Sequence, residues 1–223
     1  AAFAALMTFL QIIKTINMCA LSKNPLRPFG APPPQAGGGA ALSIYQFALN
    51  DLKQHGIKKS TLEVITKNEK AIKAYKGIGF KQCKTFKCFS GDVNLNFPND
   101  VKLQHIDITH VDWDNLTDQT YYAWDSQKES IVNGGYAFYN VLNHNKPESY
   151  FIIKPGTNYI AQCGVLNPEN IGWDRLFSAI GSMTDTIKIN NVDSRLKEKL
   201  DFFTTIGLSN SVDQYEMELF LNH

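Results

Sequence analysis

The chain has 223 residues, with 43% hydrophobic, 12% aromatic and 19% charged, which suits one large domain or two small ones. Its 9 Pro and 15 Gly exclude collagen-like and wholly disordered chains, and no apolar run reaches the roughly eighteen residues of a membrane-spanning helix. Lys+Arg 22 against Asp+Glu 21 leaves a net charge of +1, which argues against a general polyanion binder.

That average hides an asymmetry. Residues 1–91 carry 13 Lys+Arg and 3 acids, or +10, so the remainder holds 9 bases and 18 acids, or −9. A basic half beside an acidic half points to two modules with an anionic ligand on the first, although two solvated surfaces leave the same trace. Cys19, Cys83, Cys88 and Cys163 form no CxxC pair and have no nearby His at zinc-ligand spacing. Reduced thiols in a cytoplasmic protein, with no metal, are therefore expected.

In chain order, Phe3, Leu6, Leu10, Ile13 and Ile16 recur at helical spacing. Residues 3–13 resemble a signal-peptide core but lack a basic segment before them, so a helix is read. A breaker-rich stretch from Asn24 to Gly39 follows, then a helical pattern over 40–55 that Gly56 can cap. Thr61–Ile65 reads as a buried strand and Glu69–Gly77 as a helix closed by Gly77 and Gly79 before Phe80. A Gly-rich turn entering a helix presents backbone N–H groups at the positive end of the helix dipole, where phosphates bind.

This stretch, Leu62–Phe80 (LEVITKNEKAIKAYKGIGF), resembles the second half of a GCN5-related N-acetyltransferase domain, and the likeness covers about Pro33 to Gly91. The resemblance implies that the Gly-rich loop and its helix hold the pyrophosphate of acetyl-CoA. Two loop registers remain open. One uses Gln35, Gly38 and Ala40; the other uses Pro33, Gly37, Gly39 and Ala41, with Ala36 at the basic position. Asn68 and Ala71 fall where the family contacts the coenzyme. Tyr75 matches the family's tyrosine and is expected to act as general acid on the leaving thiolate, touching the coenzyme as it does so. Glu63, on the strand, is the candidate base, since alternation can aim it at the acceptor. His55 reads as a solvated helix-end residue, and His105, His110 and His144 show no interpretable spacing.

The family has several strands before this loop, whereas about 35 residues precede it here and read as helix and linker. Together with the minimal side chains at Ala1-Ala2, Ala4-Ala5, Ala31 and residues 36–41, this predicts that the sequence is incomplete or altered there.

A second copy of the pattern follows. Ile187–Asn191 reads as a strand, Ser194–Thr204 as a helix, and Ile206-Gly207-Leu208 parallels Ile78-Gly79-Phe80. Helix ends align at an offset of 128 and strands at about 125, which predicts a three-residue insertion. Upstream, Tyr150–Lys154 and Tyr159–Val165 read as a hairpin around Pro155–Asn158, followed by a helix over 171–183. The loop at 167–172 has one Gly, no Arg or Gln, and Glu169 where a phosphate would be repelled; Phe203 stands in place of Tyr75. The aromatic stretch Trp113, Tyr121, Tyr122, Trp124, Tyr136, Phe138, Tyr139 reads as core or as an acceptor pocket.

The expectation is an α/β (α+β) chain of two mixed sheets flanked by helices, the first incomplete at its N-terminal side. Residues 1–91 would form an acetyl-CoA-binding copy and 92–223 a degenerate one. The resemblance implies an acetyl-CoA-dependent N-acetyltransferase acting on a primary amine of a small molecule or peptide; a non-catalytic tandem binding or scaffold protein is the alternative. Neither a membrane nor a nucleic-acid partner is expected.

Overall fold

The computed structural model describes Leu49, residues 52–93, 101–167, Glu169 and 171–221. Its strands are β1 (Lys59–Ile65), β2 (Lys81–Asp92), β3 (Lys102–Ile106), β4 (Ala137–Asn143), β5 (Lys146–Ile153), β6 (Ile160–Val165), β7 (Thr186–Asp193) and β8 (Ser209–Phe220). Four helices are interleaved with them: α1 (Glu69–Ile78), α2 (Lys128–Asn133), α3 (Trp173–Gly181) and α4 (Lys197–Thr205). Leu49 and residues 52–54 are also helical, and Gly56 takes the left-handed conformation (φ 73°) that ends this segment.

The chain divides into two compact units. Described residues up to Lys84, with those from Tyr215 on, form the first; Thr85–Gln214 form the second. In the first unit the strand order is β1-β8-β2, so the end of β8 lies between the strand–helix–strand partners β1 and β2. In the second the order is β8-β2-β7, so there β2 lies between β7 and β8. The second unit also holds an antiparallel sheet of order β3-β4-β5-β6.

Local chemistry explains the elements. β1 buries Ser60, Leu62 and Val64 and leaves alternate residues partly open, the period-2 signature of a strand covered on one face. Leu62 and Val64 join Leu49, Leu52, Tyr75, Phe80, Met217 and Leu221 in the first unit's core. β5 is covered on both faces: Phe151 and Ile153 pack in one cluster with α3, Tyr150 and Ile152 in another with Trp113 and Ile131. That double covering accounts for its unbroken apolar run, Tyr150–Ile153. The hairpin predicted between β5 and β6 is present, with Lys154 N–H bonded to Tyr159 O (3.0 Å) and Gly156 at φ 72°.

The internal repeat is closer than the sequence alignment implies. Asn68 N–H bonds Ile65 O (2.9 Å) and Ile72 N–H bonds Asn68 O (3.0 Å); 128 residues later, Leu196 bonds Asp193 O (3.1 Å) and Leu200 bonds Leu196 O (3.0 Å). At the other end, Phe80 N–H bonds Tyr75 O (3.0 Å) and Leu208 N–H bonds Phe203 O (2.9 Å). β2 and β8 begin and end at the same offset, 81–92 against 209–220. The predicted three-residue insertion is therefore incorrect. β7 has eight residues where β1 has seven, and the extra one is a bulge. Asn191 sits at φ 57°, and the β2–β7 register slips between Lys87 and Phe89. An added residue swaps the buried face of a strand, which made the apolar residues align at the wrong offset. The helices predicted over 171–183 and 194–204 are shorter, starting at Trp173 and Lys197.

Gly207, at φ 86°, gives a clean test of the second copy's turn, since an added Cβ would meet nothing within 4 Å. Gly207→Ala should cost about 1–2 kcal/mol through backbone strain alone. Urea unfolding measures it, and an unchanged midpoint would mean that the turn relaxes freely.

Candidate active site

The first copy's site residues sit on β1 and α1. Asn68 is the N-cap of α1, and its side-chain oxygen accepts the Ala71 N–H at 3.2 Å. Gly79 closes the helix at φ 109°. Within α1 only Tyr75 is buried, 3% exposed, with its ring edge-on to Phe80 at 6.0 Å between centroids. Burial raises the pKa of its phenol above the ordinary value, so the hydroxyl stays protonated throughout the physiological range. Tyr75 packs in the cluster of Leu62 and Val64, whereas alternation turns Glu63 to the other face of β1. The two residues proposed as acid and base therefore lie on opposite faces of one strand. Gln35, Gly37, Gly38, Gly39, Ala40 and Ala41 fall outside the described residues, as do Cys19 and the helix read at 3–16.

At an offset of 128, the second copy's counterparts are Leu196 for Asn68, Lys199 for Ala71, Phe203 for Tyr75 and Gly207 for Gly79. Replacing alanine by lysine at one of these positions changes the site. The Lys199 side chain, 5% exposed, donates to Asp118 Oδ2 at 2.6 Å and to the Cys163 carbonyl of β6 at 2.8 Å. Its ammonium also lies 5.4 Å from the ring centroid of Tyr122 and 5.8 Å from that of Trp173. β6 and β7 belong to different sheets, and a parallel bridge, Tyr159–Lys188, links them just before β6. Lys199, Tyr122 and Phe203 fill the gap beyond that bridge, leaving a cavity of about 10 Å³, room for one water. Phe203 is fully buried against Phe89, Trp173 and Phe177.

No family model and no curated protein sequence matches the chain. Solved structures do. A GCN5-related N-acetyltransferase (GNAT) from Anabaena variabilis superposes with a TM-score of 0.54 at 15% identity, over 84% of this chain and 52% of that one. A GNAT from Kribbella flavida gives 0.59 at 8% identity, over 82% and 76%. A tandem GNAT protein from the clavulanic acid biosynthesis pathway gives 0.56 at 10% identity, over 86% and 73%.

The chain has the GNAT fold. It spans about half the length of the Anabaena protein.

In the second repeat, a carboxylate lies against the start of α3. Gly172, at φ 118°, caps α3, and a Cβ there would come within 2.9 Å of Glu148 Cδ. Glu148 is held by Arg175 Nε at 2.8 Å and Asn143 Nδ2 at 2.6 Å. A second anion at that spot would face this charge directly. Glu169, the residue to which the sequence assigns the repulsion, is exposed, and its N–H bonds Asn167 Oδ1. Glu148 lies on β5, 27 residues before Arg175, and nothing in the local sequence marks it. Lys199 was readable from the repeat, because Ala71 and Lys199 align once the helix ends are matched.

The aromatic stretch divides. Trp113, Tyr122 and Phe138 are core residues, whereas Tyr121, Trp124, Tyr136 and Tyr139 are half-buried. Cys83, Cys88 and Cys163 are free thiols. Among the described residues, no helix is long and apolar enough to cross a membrane, and no His, Cys, Asp and Glu side chains gather as a metal site.

Proposed function

We propose that the chain is a tandem GNAT, with residues 1–91 as the coenzyme-binding copy and 92–223 as a degenerate one. It would transfer an acetyl group from acetyl-CoA to a primary amine of a small molecule or peptide in the cytoplasm. The observation that carries this reading is the exchange of Ala71 for Lys199 between the copies. At the first turn of α1 Ala71 carries only a methyl group, whereas at the matching turn of α4 the Lys199 ammonium is bound to Asp118 and to the Cys163 carbonyl. Bound coenzyme would supply the acetyl thioester, and the phosphates would sit against the backbone amides of residues 35–41. Asn68 holds the first turn of α1 in place through Ala71 N–H.

Chemically, the amine must shed a proton before attack and the leaving thiolate must be neutralised. Tyr75 keeps its proton because burial raises its pKa, so it can offer a hydrogen bond to the developing thiolate. A thiol of ordinary pKa about 8.5 is the stronger acid, so full transfer from the phenol runs uphill and the hydrogen bond itself is the contribution. Glu63 lies on the other face of β1 from Tyr75, so the base for the amine would be supplied from elsewhere.

Calorimetric titration of the full chain with acetyl-CoA tests the reading, with dephospho-CoA and ATP as controls. One saturable site is expected. A folded sample that binds nothing at millimolar acetyl-CoA would overturn it in favour of a non-catalytic tandem binding protein.

A further inference from the structure

Proteins rarely bury a lysine, and the second unit surrounds one with a full set of ammonium-binding groups. The Lys199 ammonium has three N–H donors. Asp118 Oδ2 accepts from it at 2.6 Å, the Cys163 carbonyl at 2.8 Å and the Tyr122 hydroxyl at 3.5 Å. That hydroxyl is itself fixed, since it donates to the Cys163 carbonyl at 3.2 Å. The rings of Tyr122 and Trp173, with centroids 5.4 and 5.8 Å from the nitrogen, supply two cation–π contacts. Burial works against the charge, yet Cys163, Asp118 and Tyr150 hold the ammonium above its ordinary pKa, so the surroundings favour the cation.

None of these groups comes from α4, the helix that carries the lysine. Asp118 and Tyr122 lie between β3 and α2, Cys163 lies on β6, and Trp173 opens α3. The site is thus assembled by other elements, and Lys199 enters it as a ligand would, on a four-carbon stem. A cavity of about 310 Å³ adjoins it, lined in part by Asp118, Trp173 and Lys199. Arg195, Lys197 and Glu198 on the cavity wall are exposed, so it opens to solvent. Arg195 pairs with Asp193 at 2.6 Å, and Glu198 offsets Lys197, so the wall does not repel a cation. Three acceptors select a primary ammonium. A quaternary ammonium has no N–H to give them, and a guanidinium spreads five donors over a rigid fork.

We infer that Asp118, the Cys163 carbonyl, Tyr122 and Trp173 form a primary-alkylammonium site that Lys199 occupies as a tethered ligand, keeping free amines out. The site is independent of acetyl transfer by the first copy, since every group belongs to the second unit. Lys199→Ala removes the side chain beyond Cβ, and n-propylammonium replaces the missing atoms. The full chain is heated with n-propylammonium chloride and followed by circular dichroism, against sodium chloride at equal concentration. The Lys199→Ala midpoint should rise with half-saturation at about 10 mM or below, and the parent midpoint should not move. n-Propanol and tetramethylammonium should bind at least about tenfold more weakly, and Asp118→Asn added to Lys199→Ala should weaken n-propylammonium by at least about tenfold. Lys199→Ser is the second variant, and trimethylamine N-oxide restores the fold of one that is unfolded in buffer. The proposal is overturned if neither variant gains midpoint or folded fraction from n-propylammonium, if the parent gains as much, if n-propanol or tetramethylammonium acts equally, or if the Asp118→Asn combination keeps the full effect.

Discussion

Replacing Tyr75 by phenylalanine should lower the acetyl-transfer rate by about 10²-fold or more and leave the affinity for acetyl-CoA within about twofold. The split follows from where the residue sits. The Tyr75 ring is part of the first unit's core, with Leu62, Val64 and Phe80 around it. Phenylalanine keeps that ring and removes only the hydroxyl, so α1 and the backbone amides near its start keep their positions. The loss then falls on a hydrogen bond that strengthens as charge develops on sulfur, which appears in kcat. Single-turnover kinetics beside calorimetry separates the two quantities. Equal loss of rate and affinity would show that the hydroxyl supports ground-state binding, and an unchanged rate would remove Tyr75 from the reaction.

The second large effect is on stability. Lys199→Met should destabilise the chain by about 3 kcal/mol, because it removes one partner of a largely buried ion pair and leaves Asp118 behind. Asp118 is 22% exposed, so water recovers part of its solvation and holds the loss near the lower end of the range. Asp118 also sits at φ 64°, a conformation that aspartate tolerates better than most residues. Lys199→Met combined with Asp118→Asn should recover part of the loss, since no orphaned charge then remains. Urea midpoints for the parent, both single variants and the double variant measure the coupling. A coupling near zero would mean that the lysine is held by the Cys163 carbonyl and the aromatic rings alone.

Alkaline pH gives an independent check on the same residue. Burial works against the Lys199 charge, but Cys163, Asp118 and Tyr150 outweigh it, and the ammonium titrates above its ordinary 10.5. A folded value above the unfolded one stabilises fully below about pH 10.5, and the benefit fades as pH rises through the folded value. Cys163, pushed up to about 11 by burial, and the buried phenols of Tyr122 and Tyr150 change stability in the same direction from about pH 9 to 10 upward. The parent should therefore lose stability steeply above pH 9, and Lys199→Met should lose less over the last part of that range. Parallel curves for the two proteins would count against the ion pair.

The strand–helix–turn of the first copy could be read from the sequence, because its signals are local. β-branched alternation marks β1, Asn68 starts α1, and Gly79 permits the positive φ that ends it. The same signals found the repeat, and Gly207 and Phe203 hold the predicted places. The bulge at Asn191 was misjudged, since one unpaired residue shifts the apolar register without changing the composition of the strand.

Tertiary structure alone decided which residues meet across long separations. Lys199 reaches Asp118 over 81 residues and Arg175 reaches Glu148 over 27, and these contacts set the charges at the starts of α4 and α3. The placing of β8 between β1 and β2 in the first unit was equally invisible to the sequence. By itself the sequence determined the elements, their turns and the repetition of one strand–helix–strand pattern, because propensity and capping act over a few residues. Whether each copy keeps an open site was left to packing, because it depends on where distant side chains send their charges once the strands are paired.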